Sequence, residues 1–331
     1  MTVSAEVPRL AAGSWLKELQ RRRSGNIVLL FVAIQVVAIV FALIFPDEFR
    51  YVSLGNVQLM LKSIPSLVIV VLGVNLLMIA GEFDLTVGAT FTLTALIMAK
   101  LFNAGIPLGI AVLAALVAGA VIGFVNGWIV VMSNVPSFII TLGAMWFWRG
   151  VILILSGSVT ESFYPSQFFE KLFTMNLGPI QVQFVWALAI ATLCWLLLER
   201  HQYGNYLFGV GGNRKAAAAL GVNTNRVKII AFGITGLLAA LSGVMSTVRI
   251  NSISPIQGQG LELQAIAACV IGGTALTGGK GTILGAFLGA ALMYTIQDVL
   301  LLLRAPGHYL QMFVGVIIVI AAVLNEAIKS E

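Results

Sequence analysis

A chain of 331 residues in which 59% of side chains are hydrophobic and only 10% are charged cannot cover a water-facing surface, because an ordinary soluble domain carries roughly 25% charge. The formal net charge of +6 would suit a nucleic-acid partner, but the basic residues sit in short clusters between apolar runs and form no stripe. Membrane topology explains them instead, and the composition leaves a polytopic α-helical membrane protein, since each spanning helix needs about 20 apolar residues.

Residues 1–25 form a basic segment ahead of an apolar run that continues to about Leu43. That run is too long for the hydrophobic region of a cleaved signal, and no small-residue site closes it, so it is expected to stay as the first span. Polar, glycine and proline punctuation divides 26–331, a single all-α transmembrane domain, into ten predicted spans. They lie near 26–45, 61–80, 86–102, 107–132, 136–156, 181–199, 227–249, 262–277, 282–303 and 309–328. The third and eighth are short and rich in small residues, so they are expected to be broken, tilted or buried by neighbours.

Placing the amino terminus in the cytoplasm puts Arg9, Lys17, Arg21, Arg22, Arg23, Arg200, Arg214, Lys215, Arg226, Lys228, Lys280 and Lys329 on that side. This bias predicts that both termini and a basic loop, 200–228, face the cell interior. The longest external connection, about 157–179, carries Phe163, Tyr164, Phe168, Phe169 and Phe173. It is expected to form an amphipathic helix at the outer interface, where aromatic rings are favoured.

Gly119, Gly123 and Gly127 recur as Gly281, Gly285 and Gly289, two sets at four-residue spacing that would align on helix faces and admit close neighbours. Opposed copies of one feature are what an inverted repeat of spans 2–5 and 7–10 produces. Coincidence in a chain of 34 glycines is the competing explanation.

The run Gly272-Gly273-Thr274-Ala275-Leu276-Thr277-Gly278-Gly279-Lys280-Gly281-Thr282 superficially resembles a phosphate-binding loop. Gly281 separates the lysine from the threonine and a membrane span precedes it, so it reads as a tight turn. Glu82, Asp84, Arg149, Glu262 and Asp298 are ionisable groups in or beside apolar runs, where a charge is costly. Asp84 with Thr86 either caps the third helix or lines a gate. Arg149 either pairs with a carboxylate or snorkels, and Glu262 either caps a helix or lines a path. Cys194 and Cys269 lie in apolar runs and suit small buried side chains. His201 and His308 lie far apart and make no metal site. No serine has a companion base, so no catalytic residues are expected.

Within 200–228, Asn213 is placed to cap a short helix over Arg214, Lys215, Ala216, Ala217 and onward to Leu220, with Gly221 closing it. Two turns are too few to be stable alone, so neighbours or a partner must hold the segment. Its alanine face suits close docking.

These residues resemble the loop that couples bacterial ABC-importer permeases to their ATPases, with Ala216, Ala217 and Gly221 matching the pattern and Lys215 standing where a glutamate is usual. The match is closest to the ribose-, galactose-, arabinose- and xylose-type sugar permeases. It runs through Gly81-x-x-Asp84-Leu85-Thr86-Val87-Gly88, Asn126-Gly127, Val135-Pro136-Ser137-Phe138-Ile139-Ile140-Thr141-Leu142-Gly143, Gly212-Asn213, Glu262-Leu263-x-Ala265-Ile266-Ala267-Ala268, Gly272-Gly273, Gly278-Gly279-x-Gly281 and Gly285. Glu82 stands where a small or apolar residue is more usual.

The resemblance implies a bacterial inner-membrane permease subunit that binds no cofactor and leaves ATP and Mg to a cytoplasmic ABC ATPase. A periplasmic or lipid-anchored binding protein would deliver a monosaccharide or related polyol, and a second permease chain, identical or a close paralogue, would complete the path. Asn213, Arg214, Lys215, Ala216, Ala217 and Gly221 would contact the ATPase. Asp84, Thr86, Asn126, Arg149 and Glu262 are candidates for the path or gate. A secondary carrier or channel using Asp84 or Glu262 to hold coupling ions is the alternative.

Overall fold

The computed structural model describes residues 25–165, 167–178 and 180–329. Its helices are α1 (Gly25–Ile44), α2 (Leu54–Ile79), α3 (Val87–Asn103), α4 (Leu108–Ser133), α5 (Ser137–Ser156), α6 (Gln167–Thr174), α7 (Val182–Trp195, continued by a π turn Leu196–Arg200), α8 (Gln202–Gly212), α9 (Arg214–Ala219), α10 (Thr224–Ile250), α11 (Leu261–Ile271), α12 (Ile283–Leu302) and α13 (His308–Lys329). Four two-residue strands make two antiparallel ladders: Glu161–Ser162 with Ser252–Ile253, and Asn176–Leu177 with Ile180–Gln181.

Every predicted span has a helix, but the spans are not equivalent. Among the described residues seven helices are long and apolar enough to cross a membrane, while Val87–Asn103, Leu261–Ile271 and His308–Ile320 are shorter apolar segments. The expected eighth span, 262–277, is corrected: its helix stops at Ile271, because a glycine-rich turn begins at Gly272. α2 starts seven residues before its predicted edge, where the Ser53 hydroxyl accepts the Asn56 amide at 3.3 Å and caps it.

α2 and α10 form the centre. α10 packs on α3 and α4, and α2 packs correspondingly on α11 and α12. Likewise α3 touches α4 and α5, as α11 touches α12 and α13. Two halves with matching neighbours are the packing a repeat of α2–α5 in α10–α13 would give.

The glycine echo, however, does not mark that correspondence. A Cβ on Gly123 would overlap the Phe232 carbonyl, one on Gly119 the Gly236 carbonyl, and one on Gly127 would crowd Ile229 and Phe232, so this set seats α4 on α10. Gly281 lies outside α12, in the turn before its cap Thr282, and meets the Ile79 side chain. Gly285 and Gly289 abut the carbonyls of Gly272 and Ala268, so they seat α12 on α11. Spacing alone cannot say which neighbour a small-residue face receives.

The aromatic connection after α5 contains the expected amphipathic helix, α6, and departs from expectation in where two of its rings lie. Phe163 is fully buried and meets Phe102 edge-on with ring centroids 5.1 Å apart, and Phe173 is buried near Trp186. These rings pack on protein, while Tyr164 remains exposed. The side chains of Phe168, Phe169 and Lys329, and Arg9, Lys17, Arg21, Arg22 and Arg23, lie outside the described residues.

Candidate functional site

The chain breaks between α2 and α3 at Gly81, whose φ of +81° suits a residue without a Cβ. Gly278 approaches so closely that a Cβ on it would overlap the Gly81 backbone, and the Gly279 amide donates to the Ile79 carbonyl at 2.9 Å. The loop that resembled a phosphate cradle therefore packs against this break, with the amides of Gly272, Gly273, Thr274, Ala275, Gly278 and Gly279 engaged within the protein.

Beyond Gly81, Asp84 is buried and its Oδ1 accepts both the Thr86 amide at 2.8 Å and the Thr86 hydroxyl at 2.6 Å. Asp84 thus organises the turn that leads into α3, while Thr86 gives the helix no side-chain cap. Asn126, reaching from α4, donates Nδ2 to Thr86 Oγ1 at 2.9 Å. Three of the sequence candidates meet in one buried chain. Phe83, immediately before Asp84, donates its amide to Ser137 Oγ at 3.0 Å, so the same break holds the first turn of α5.

Arg149 and Glu262 form a second group on the far side of the first turn of α3. Arg149 Nη2 donates to the Gly258 carbonyl at 3.0 Å and lies 3.7 Å from Glu262 Oε2. Glu262 Oε1 also accepts the Gly260 amide at 3.2 Å, steadying the start of α11. One carboxylate thus braces the start of α11 through Oε1 and faces Arg149 through Oε2, an ion pair without a hydrogen bond. The groups adjoin because Gly88 lets α3 approach Gly258 and Glu262, and Thr92 Oγ1 accepts the Gly258 amide at 3.0 Å. Asp298 stands apart, accepting from Asn56 Nδ2 at 2.7 Å.

The basic segment contains more structure than its sequence suggested. α8 precedes α9 and is capped by His201, whose Nδ1 accepts the Tyr203 amide at 3.1 Å. α9 itself follows the sequence: Asn213 Oδ1 accepts the Ala216 amide at 3.0 Å, and Gly221 ends the segment with φ +84°. Ala217 faces inward, buried near Gly209, so the alanine face docks partly on the protein's own α8. Arg214, Lys215, Ala216, Ala218 and Ala219 stay exposed, beside Leu220 at 85% exposure.

Sequence reasoning missed one contact altogether: Lys228 Nζ donates to Glu82 Oε1, joining the start of α10 to the α2–α3 break, with both residues buried. The 146-residue separation leaves no local signal.

A family model described as "Branched-chain amino acid transport system / permease component" matches residues 56–322. The chain belongs to this permease family. Relatives agree over almost the whole length of the permease. The autoinducer 2 import system permease protein LsrC of Salmonella choleraesuis (strain SC-B67) is 33% identical over 305 residues, covering 92% of this chain and 85% of the relative. LsrC of Escherichia coli (strain K12 / DH10B) is 31% identical over 294 residues, covering 88% and 86%, and LsrC of Yersinia pestis (strain Pestoides F) is 34% identical over 304, covering 92% and 84%. No solved structure matches. The protein is a multi-pass permease subunit of a binding-protein-dependent importer, in agreement with the resemblance carried by its motifs.

Proposed function

We propose that the permease passes a small sugar-like solute into the cell, driven by a separate ABC ATPase that engages α9, with both termini and the segment 200–228 in the cytoplasm. The observation that carries this reading is the likeness to LsrC over 92% of the chain. Autoinducer 2, named for those relatives, is sugar-like, which agrees with the sugar-permease motifs. Support for the docking role comes from α9: a capped, two-turn helix seated by Ala217, presenting Arg214, Lys215 and the apolar Leu220 outward. The basic bias of 200–228 supports its inward placement.

In this reading the chain binds no cofactor. ATP and Mg serve the ATPase, and a binding protein and second permease chain complete the complex. Closure of the ATPases shifts α9, and the bundle responds by changing which conformation is favoured.

The test is reconstitution in liposomes with labelled autoinducer 2, ribose and leucine as parallel substrates. Uptake of autoinducer 2 or ribose should require both ATPase and binding protein. Robust uptake by the purified chain alone would sink the proposal, and ATP-dependent uptake of leucine only would return the substrate to the branched-chain amino acid class. Labelling of residues 212–228 from the exterior of intact cells would overturn the topology.

A further inference from the structure

Glu82 and Lys228 are each 8% exposed and form an ion pair. Charges removed from water are costly, and excellent geometry is needed to offset that cost, so such a pair is weak evidence for stability alone. Its position is more informative than its strength.

On one side, Lys228 occupies the first turns of α10, close to the anchors of α9. Arg214 Nη2 donates to Asn225 Oδ1 at 3.0 Å, and Arg214 Nε reaches Thr224 Oγ1 at 3.4 Å. On the other side, Glu82 immediately precedes Phe83, whose amide holds Ser137 of α5, and lies two residues before Asp84, which leads through Thr86 to Asn126 of α4. The ion pair is thus a side-chain cross-link between two hydrogen-bonded groups, the base of the exposed basic segment and the break that seats α4 and α5, beside the backbone approach of Gly211 in α8 to Ile79 and Gly81. Beside it lies a cavity of about 220 Å3, lined by Glu82, Lys228, Arg214, Asn134 and Pro136 together with valines of α4 and its end. That space leaves the paired side chains room to move.

The geometry points to Glu82 and Lys228 as positioning residues for transport, transmitting displacement of α9 to the α2–α3 break and through Ser137 to α5. This rests on the reading of α9 as the ATPase contact. It also assigns a role to the one residue in the Gly81–Gly88 motif that departs from the sugar-permease pattern. The pair is tested by removing it without leaving an unpaired charge.

The assay is the full complex in nanodiscs with its ATPase and binding protein, carrying a spin label at Phe147→Cys on the exposed face of α5. The natural thiols, Cys194 and Cys269, are buried, so labelling there should be negligible. The distance from this label to one placed on the second permease chain is measured with and without ATP plus vanadate. The Glu82→Gln/Lys228→Met double variant leaves neither charge alone and is expected to insert and co-purify with the ATPase. Its ATP-dependent population shift at Phe147→Cys should fall roughly five-fold or more, whereas Lys228→Arg, which keeps the charge and has the cavity to occupy, should retain the shift.

A purely structural pair predicts the opposite: low yield of either single neutral variant, Glu82→Gln or Lys228→Met, and a normal response in the assembled double variant. That normal response overturns the proposal. A complex with Glu82 and Lys228 intact whose α5 label ignores ATP would also overturn the proposal, whereas normal ATP-coupled transport by Ala216→Trp, a bulky change on the exposed face of α9, would overturn the reading of α9 as the coupling segment.

Discussion

α2 and α5 have the same mean hydropathy over their best spanning windows, 2.0, yet 83% of the α2 window is buried inside the protein and 11% of the α5 window. In water this difference would be visible in the sequence, because an exposed helix must carry polar residues on one face. In a bilayer, lipid tails are as apolar as a protein interior, so a central helix and a peripheral one read alike. What distinguishes them is how each is held. The centre is held by shape, through glycines that bring backbones together, while α5 is held by a few polar contacts: Ser137 to Phe83, Thr141 Oγ1 to the Phe83 carbonyl at 3.4 Å, and Arg149 to Gly258 and Glu262.

The sharpest break of this comparison is a matched pair of glycine substitutions. At Gly123 a Cβ would overlap the Phe232 backbone, which cannot swing aside, so Gly123→Ala should destabilise by about 3 kcal/mol, the upper end of ordinary overpacking. It should sharply lower the yield of monodisperse protein in detergent. At Gly143 on α5 nothing lies within 4 Å, so Gly143→Ala should leave yield and thermal melting unchanged. Equal losses at both positions would show that the two helices are not held differently.

Next in size is Arg149→Leu. It deletes a charge-assisted hydrogen bond to Gly258 and leaves the buried Glu262 without its cation, a loss of roughly 2–3 kcal/mol. Adding Glu262→Gln should recover part of it in thermal unfolding of the detergent-solubilised protein. If the double variant is no more stable than Arg149→Leu, the two side chains do not act as a pair. Ser137→Ala is smaller, about 1 kcal/mol for one neutral bond, and its expected signature is faster proteolysis near α5 with the centre of the bundle still protected.

The smallest effect lies on the surface, at Glu161. Its carboxyl is held below the usual carboxylate range by the hydrogen bond from Asn103, at 2.7 Å, and then by Lys100, at 3.2 Å. A depressed carboxylate stabilises the folded state above its unfolded value and loses that contribution as pH falls through its lower folded value. Melting temperature measured from pH 6 to pH 3 should therefore drop slightly more for wild type than for Glu161→Gln. The contribution is under about 1 kcal/mol, since the Lys100 side chain is 40% exposed, and it should shrink further in high salt.

Local chemistry made some features legible and not others. Asn213 before Arg214 and Gly221 after Leu220 announce a helix, because a cap and a left-handed terminator are properties of a few adjacent residues. The Asp84–Thr86 turn and Asn126 were legible as candidates through their motifs, but their meeting was not. α8 went unnoticed because its glycines, Gly204, Gly209, Gly211 and Gly212, mimic a loop; Gly204 and Gly211 instead permit close contact with Leu198 and Ile79. The end of α11 was misjudged because the predicted span was carried across Gly272, Gly273 and Thr274 to Thr277, where the glycine-rich turn has already begun.

Composition and the runs of apolar residues were sufficient to determine a membrane-embedded helical protein and the order of its spans, since hydrocarbon imposes on each segment the requirement to satisfy its own backbone, while the importer-permease motifs were legible by their resemblance to known permeases. Tertiary structure alone decided which helices are central, which neighbour each glycine face receives, and that Lys228 closes on Glu82 across 146 positions. Those outcomes depend on shape and on partners distant along the chain, and a nearly uniform apolar solvent leaves no mark of them in the pattern of hydropathy.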